Sequence, residues 1–372
     1  MSKQDKIVGL NKSKKVVFHF LNTGNYSGAE NVVINIATLI SDCEHVYVSP
    51  SGAIDKILKE FNIRHIVIKS LTVKTVFNVL KSNQPDIVHA HDFRASIMVA
   101  RNVKYIQNYG GLVISHLHNN DPRMRRLGIL SLLYRWSVPK YNKIIVVSES
   151  IINEYIFSGY IKKNIDVLIL KNIVNDSIIL KKADMFIAPK SDLIYVGRLV
   201  EQKNPIMFLE IVKLVTKVFP NVRVTMLGEG PLRQKIEEYI RNNKLTDNIR
   251  LFGFTSNPYP YIKSAKIGVS TSKWEGFGLS ILEEQLLGNP VIATPVGGVV
   301  DLVNEDVGML SNSIQEMSAE IIKMLSNETY LAKKSYMAKE NVKMKNSISN
   351  FQEVLREVYG VKNKHYSTYN NI

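Results

Sequence analysis

Two carboxylates, Glu275 and Glu283, stand eight positions apart in Ser272–Gly298, SKWEGFGLSILEEQLLGNPVIATPVGG, with Gly276 and Gly278 between them. The apolar spacing from Leu279 onward predicts a helix, which places both glycines at its N-terminus. Backbone N–H groups there, around Phe277, Gly278 and Leu279, can face an anion, and the helix dipole favours negative charge at that end. Glu283 falls about one turn into the helix, where a carboxylate can accept two hydrogen bonds from a vicinal diol such as a ribose. Glu275 sits ahead of the helix, and Glu284, pointing elsewhere, is expected to be solvated. A strand, Pro290–Ala293, and the turn Pro295–Gly298 follow. A phosphate cradle with a diol acceptor behind it is the chemistry of a nucleotide site.

A second cluster is cationic. Gly197, Arg198 and Lys203 form a GR-x4-K pattern after the apolar run Leu193–Val196. That is the C-terminal end of a predicted parallel strand, where open α/β sheets bind ligands, and two cations there can neutralise charge on a departing diphosphate. The histidines are also grouped: His89 and His91 flank Ala90, and His116 and His118 follow the predicted strand Leu112–Ser115. His116 and His118 would face the same way in an extended chain. Gly24 and Gly28 permit close backbone approach in the first βα turn. Their spacing is not G-x-G-x-x-G, so a nicotinamide cofactor is not indicated. The chain has no D-x-D pair, and the expectation is a site without metal.

The elements that must position these residues are strands alternating with helices. Apolar runs predict strands at Val16–Leu21, His45–Val48, Ile63–Ile68, Ile87–Ala90, Leu112–Ser115, Ile144–Val147 and Val167–Leu170. A second series follows at Leu193–Val196, Arg223–Leu227, Ile249–Phe252, Ile267–Ser270 and Pro290–Ala293. A helix is predicted from Gly28 to about Ser41 on its 3.6-residue stripe. This rhythm implies right-handed βαβ units and parallel sheets. The polar stretch 171–190 is expected to link two such halves. Ser347–Tyr359 is an amphipathic helix with Ile348, Phe351, Val354, Leu355 and Val358 on one side, and Lys362–Ile372 is expected to fray.

The 372 residues suffice for two cores. Hydrophobic content of 45% with 22% charged residues is that of a globular protein. No apolar run approaches the ~18 residues a membrane span needs, the basic opening MSKQDKIVGLNKSKK lacks an apolar signal core, and the chain is expected to be cytoplasmic. Cys43, the single cysteine, excludes an internal disulfide and is expected to be buried and inert. The net charge of +15 is concentrated in residues 1–190, with 26 Lys and Arg against 14 Asp and Glu. Such a half suits an anionic membrane or a phosphorylated partner. No nucleic-acid partner is expected, because no binding motif accompanies the charge. Within it, Asp121–Lys143 intersperses Arg123, Arg125, Arg126, Arg135, Lys140 and Lys143 with Leu127, Ile129, Leu132 and Trp136. It reads either as an interfacial membrane segment or as a domain helix with a solvated basic face.

The Glu275–Glu283 string closely resembles the E-x7-E signature of retaining glycosyltransferases of family 4, which have the GT-B fold. YVGRLVEQKN (Tyr195–Asn204) is similar to that family's basic pair, and NYSGAE (Asn25–Glu30) to its N-terminal glycine loop. DIVHAHDF (Asp86–Phe93) and ISHLHN (Ile114–Asn119) resemble its two histidine loops, and LGEGP (Leu227–Pro231) and LFGF (Leu251–Phe254) further strand ends. The motifs run in the family's order over nearly the whole chain. The resemblance implies an α/β GT-B architecture: two Rossmann-like parallel-sheet domains facing across a cleft, with the last helix crossing back to the first. The N-terminal, acceptor-binding domain would be 1–175 plus 347–360, and the nucleotide-sugar domain 191–346.

By the same resemblance Arg198, Lys203, Glu275 and His118 would be catalytic. Glu283, Gly276, Phe277, Gly278, Leu279, Gly197 and Gly28 would bind the donor. His89, His91 and Gly24 are acceptor-side candidates, although the two histidines could simply order their loop. The implied reaction moves a sugar from a nucleotide-sugar donor, expected to be a UDP-sugar, to a saccharide hydroxyl with retention, the leaving phosphate taking the acceptor's proton. The acceptor is expected to be lipid-linked, for capsule, exopolysaccharide or O-antigen, with the protein peripheral at the inner membrane face. No cofactor is expected. A nucleotide-sugar 2-epimerase of the same architecture would need carboxylates arranged for elimination. A non-catalytic partner subunit would be expected to have lost Arg198, Lys203 or Glu283.

Overall fold

The computed structural model describes residues 14–361, so most of the basic opening stretch and the tail Lys362–Ile372 lie outside the described residues. The chain forms two compact units, one running to Ile173 and resuming at Ile348, the other spanning Val174–Ser347.

The first unit is built on seven parallel strands: β1 (Lys15–Phe20), β2 (Cys43–Ser49), β3 (Arg64–Val67), β4 (Ile87–His91), β5 (Leu112–Leu117), β6 (Lys143–Val146) and β7 (Val167–Ile169), in the order β3-β2-β1-β4-β5-β6-β7. The order reverses between β1 and β4, the switch point at which such sheets leave a crevice. The helix predicted from Gly28 ends at Leu39, and Cys43 opens β2, buried, its thiol pushed up to about 11 by burial. Gly24 is required sterically, since a Cβ there would lie 2.3 Å from the Ser51 carbonyl oxygen. The terminal helix, Ile348–Tyr359, buries Phe351, Leu355 and Tyr359. It is tied to this unit by Arg356 Nε donating to Asp42 (2.7 Å), Gln352 Nε2 donating to the Leu39 carbonyl (2.9 Å), and a 2.8 Å bond between the Tyr359 hydroxyl and His89 Nδ1.

The second unit has six parallel strands: β8 (Leu193–Val196), β9 (Val224–Leu227), β10 (Ile249–Gly253), β11 (Ile267–Ser270), β12 (Val291–Ala293) and β13 (Gly308–Leu310), in the order β10-β9-β8-β11-β12-β13. Its core packs Phe208, Leu209, Met317 and Ile321 against strand residues such as Leu193, Met226 and Ile292. β13 was not anticipated; at three residues it is too short to show a period.

Two expectations are corrected. Residues 171–190 are not simply a linker. They contain the helix Asp176–Ala183, capped by the Asn175 side chain on Ile178 N (3.2 Å), and they belong to the second unit from Val174 onward. Ile179 and Ala183 are buried, and Asn257 Nδ2 donates to the Lys182 carbonyl (3.0 Å). Glu284 is not solvated but 1% exposed. Its carboxyl occupies the space that a side chain on Gly268 of β11 would take, a Cβ there lying 2.0 Å from Glu284 Oε2. A glycine inside a strand often marks such an approach. Gly268→Ala should therefore destabilise the second unit by about 1–3 kcal/mol through overpacking, read as a lower midpoint in denaturant unfolding. An unchanged midpoint would mean that Glu284 has room to turn away.

Candidate active site

The cationic loop follows β8. Gly197 is overlain by Gly228 (φ +140°), where a Cβ would lie 1.9 Å from the Gly197 carbonyl oxygen, so the LGEGP turn presses directly on this loop. Arg198 is exposed, and its Nη2 donates to Gln202 Oε1 at 3.0 Å. A short 3-10 turn, Glu201–Lys203, leads to Asn204 (φ 45°) and to Pro205, which opens a helix. The Lys203 carbonyl accepts from the Tyr195 hydroxyl (3.3 Å) and the Thr271 hydroxyl (3.2 Å), so its backbone is held by two strands' ends. Its ammonium forms an ion pair with Glu275 Oε1, which also accepts from Ser272 Oγ at 2.7 Å. Lys273 N donates to the Gln202 carbonyl (2.7 Å) and Gln202 Nε2 to the Trp274 carbonyl (3.1 Å), lacing the β8 and β11 loops together.

The Glu-Gly-Phe-Gly loop rests on the Pro-Val-Gly-Gly turn. A Cβ on Gly297 would lie 1.8 Å from the Glu275 carbonyl oxygen, and Gly298 N donates to the Gly276 carbonyl at 3.2 Å. Gly278, at φ +101°, caps the helix Leu279–Leu286. Arg198, Lys203, Glu275 and the start of that helix thus gather at the carboxyl ends of β8 and β11, the switch point of this sheet. Glu283 lies a turn along, 8% exposed, accepting from the Tyr259 hydroxyl at 3.2 Å. Burial pushes its carboxyl up to about 7, with the Tyr259 bond pulling weakly the other way. This is a carboxyl poised to ionise when donors reach it.

In the first unit, Gly28 opens its helix behind the Gly24 turn. His91 ends β4 and His118 follows β5, joined by a 2.8 Å bond between His91 Nδ1 and His118 Nε2. The sequence reading had His89 and His91 in a loop, but both lie in β4. His89 is fully buried against Tyr359, where its Nδ1 docks the terminal helix. His116 lies within β5, also fully buried. Asp92 was missed. It holds His118 N at 2.9 Å from a left-handed backbone (φ 67°), and burial raises its carboxyl to about 7. Its place at a helix start just after a strand was the available signal.

The segment Asp121–Lys143 forms a 3-10 turn, Pro122–Arg125, and a helix, Ile129–Ser137. Met124, Ser131 and Tyr134 are buried, whereas Leu127, Ile129, Leu132 and Trp136 are exposed, Ile129 to 81%. Three of the segment's cations are paired: Arg123 with Asp121 (2.6 Å), Arg125 with Glu154 (2.8 Å) and Lys143 with Asp166 (2.6 Å). Arg135 lies over the rings of Phe157 and Tyr160. The outward face is therefore apolar with a cationic margin. Among the described residues no helix is long and apolar enough to cross a membrane.

Fold and site define a two-unit α/β protein with two cations and a glycine-led helix start at a sheet switch point, and comparison with known proteins gives the family. Residues 26–168 match the family "Glycosyltransferase Family 4" and residues 177–344 match "Glycosyl transferases group 1". The chain belongs to the family-4 type of glycosyltransferases, with the GT-B fold. It is similar to the poly(ribitol-phosphate) alpha-N-acetylglucosaminyltransferase of Staphylococcus aureus, 27% identical over 69% of this chain and 51% of the relative. An uncharacterized glycosyltransferase of Methanocaldococcus jannaschii is 26% identical over 59% and 58%. The match thus spans little more than half the length of these curated relatives. The fold is that of Anabaena HepE, solved in complex with UDP and glucose, with TM-score 0.80 and 18% identity over 93% of this chain and 99% of that one.

Glu283 offers a ligand-independent check of this geometry. A carboxyl raised in the folded state from its ordinary 4.5 to about 7 binds its proton more tightly folded than unfolded. Its contribution to stability is fully present below about pH 4.5 and is lost as pH rises toward 7. Glu283→Gln keeps the Tyr259 bond and removes the ionisation. The variant should match the parent at pH 4.5 and exceed it at pH 8 by on the order of 3 kcal/mol, measured by denaturant unfolding at both pH values. Equal stability at pH 8 would show Glu283 to be solvated.

Proposed function

We propose that this protein is a retaining glycosyltransferase that moves a sugar from a UDP-sugar to a hydroxyl of a lipid-linked saccharide in surface-polysaccharide synthesis. The observation that carries this reading is the convergence of Arg198, the Lys203–Glu275 pair and the Gly278 helix start in front of the buried Glu283. The diphosphate takes the helix N-terminus and draws Lys203 away from Glu275, leaving that carboxylate to accept hydroxyl bonds from the sugar. Glu283 ionises as it receives the ribose diol. The bond from the sugar's anomeric carbon to the phosphate oxygen breaks as Arg198 and Lys203 stabilise the growing charge. The acceptor oxygen bonds to the same face, and its proton passes to the departing phosphate. His118 and Gly28 take the donor's sugar and Gly24 the acceptor, so this edge of the first unit is the saccharide side. Three similarities support the substrates: HepE with UDP and glucose, the alpha transfer in the name of the S. aureus relative, and a similar Escherichia coli galactosyltransferase named for a diphosphoundecaprenol-linked acceptor.

The positive charge at the diphosphate comes from side chains and a helix terminus, so the reaction is expected to proceed in excess EDTA. A panel of UDP-hexoses with a bacterial lipid extract should give UDP release and an α-linked product by proton NMR. Lys203→Ala should lower kcat by about 10²–10³-fold with a smaller effect on UDP affinity. Absence of UDP release with every donor, or loss in EDTA reversed by Mg²⁺ or Mn²⁺, would refute this reading.

Access to a lipid-linked acceptor is assigned to the apolar face of Leu127, Ile129, Leu132 and Trp136, bordered by exposed Arg101 and Arg126. Lys140 Nζ lies 3.5 Å above the Trp136 ring, an arrangement suited to the level of lipid headgroups. Ile129→Asp combined with Trp136→Ser should abolish cosedimentation with phosphatidylglycerol vesicles and spare activity on a water-soluble saccharide. Undiminished cosedimentation would make the segment an ordinary domain helix.

A further inference from the structure

The histidines of the first unit lie on one face of its sheet, in register: His19 opposite His89, and His91 opposite His116. Four of them are joined in a line. His45 Nε2 is 2.9 Å from the Ile40 carbonyl oxygen, and His45 Nδ1 is 2.9 Å from His19 Nε2. His19 Nδ1 is 3.0 Å from His91 Nε2, and His91 Nδ1 is 2.8 Å from His118 Nε2. All four rings are buried, with exposures of 9% or less. Burial holds His45 down to about 4 and His118 to about 3, and it holds His19 and His91 well below the ordinary histidine value, so the rings are neutral near pH 7.

A line of neutral imidazoles has one direction once an end is fixed. A carbonyl oxygen can only accept, so His45 carries its proton on Nε2 and offers the Nδ1 lone pair. His19 must then donate from Nε2, His91 likewise, and His118 likewise. The lone pair on His118 Nδ1 is what remains at the far end. That atom is buried and has no partner among the described residues, and a buried acceptor without a donor is unfavourable. We propose that His45, His19 and His91 are positioning residues that lock His118 in its Nε2–H tautomer, presenting Nδ1 as a fixed acceptor for a saccharide hydroxyl. The hydroxyl part rests on the reading of this edge as the saccharide side. His118 so held cannot donate to a phosphate or carboxylate oxygen from Nδ1, so it selects for a hydroxyl.

The same rings raise a metal site as the rival, since His91, His116 and His118 offer nitrogens within 4.8 Å of one another. However, His91 already uses both of its nitrogens in the line. A cation there would break the chain of bonds that explains His118.

Two-bond proton–nitrogen correlation spectra of the full chain, labelled with ¹⁵N-histidine, read each tautomer directly. The parent should show His45, His19, His91 and His118 all protonated on Nε2 only. His45→Phe removes the anchor and should give a mixture of both tautomers at His118. His45→Gln, whose amide can donate to Ile40 O and accept from His19, should restore the single form. A parent His118 protonated on Nδ1, a single tautomer surviving in a folded His45→Phe, or Zn²⁺ abolishing the Nε2–H signals at one equivalent would overturn the relay. The hydroxyl is tested separately, by adding UDP-hexoses whose binding calorimetry has established. The His118 Nδ1 resonance should move with at least one of them and not with UDP alone. Bound donors that never move it would leave water as the donor and overturn the saccharide assignment. Neither result depends on turnover, so a chain with the locked tautomer and no transferase activity would refute the proposed function and not the relay.

Discussion

The second unit depends on the close contact between two backbone turns. The Pro-Val-Gly-Gly turn can lie against the Glu275–Phe277 backbone only because Gly297 and Gly298 have no side chains, the Gly297 approach leaving less than a carbon's width. That contact sets the height of the Glu-Gly-Phe-Gly loop, which in turn sets where the helix Leu279–Leu286 begins and where Glu275 meets Lys203. The β8 loop is pressed from its other side in the same manner, by Gly228 and Gly230 against Gly197 and Leu199. Charge placement at this sheet edge is therefore fixed by backbone sterics rather than by flexible side chains.

Such rigidity allows the unit to tolerate unfavourable burial. Glu283 and Glu284 are both enclosed, and burial raises the pKa of each. A carboxyl kept dry and close to neutrality gains most when a ligand brings its own donors, because the bonds form at low dielectric without displacing bulk water. The first unit shows the same strategy with the opposite group. Its histidines are held neutral under the terminal helix, where Tyr359 meets His89, and their hydrogen bonds become directional through a single carbonyl at the edge.

Much of the architecture was legible from local pattern. Twelve of the strands follow from apolar runs punctuated by turn residues, and the terminal helix from its stripe of Phe351, Val354, Leu355 and Val358. The spacings GR-x4-K and E-x7-E placed Arg198, Lys203, Glu275 and Glu283 at strand ends and at a helix start, which is where they stand. Local pattern failed where few residues carried it. β13 spans three residues, and the helix Asp176–Ala183 shows too much Lys and Asp to stand out from a linker until its partners around Tyr259–Lys263 are in place.

What the sequence alone determined is the order of elements and the residue types at their ends, because hydrophobic period and turn chemistry are read over a few neighbouring positions. Only the tertiary structure decided which polar groups are dry and which atoms they face. Glu284 lies beneath Gly268, Lys203 pairs with Glu275 across 72 positions, and His89 meets Tyr359 across 270. Protonation and hydrogen-bond direction follow from those long-range contacts, since desolvation and partner geometry depend on what packs around a group, and no spacing within a strand records that.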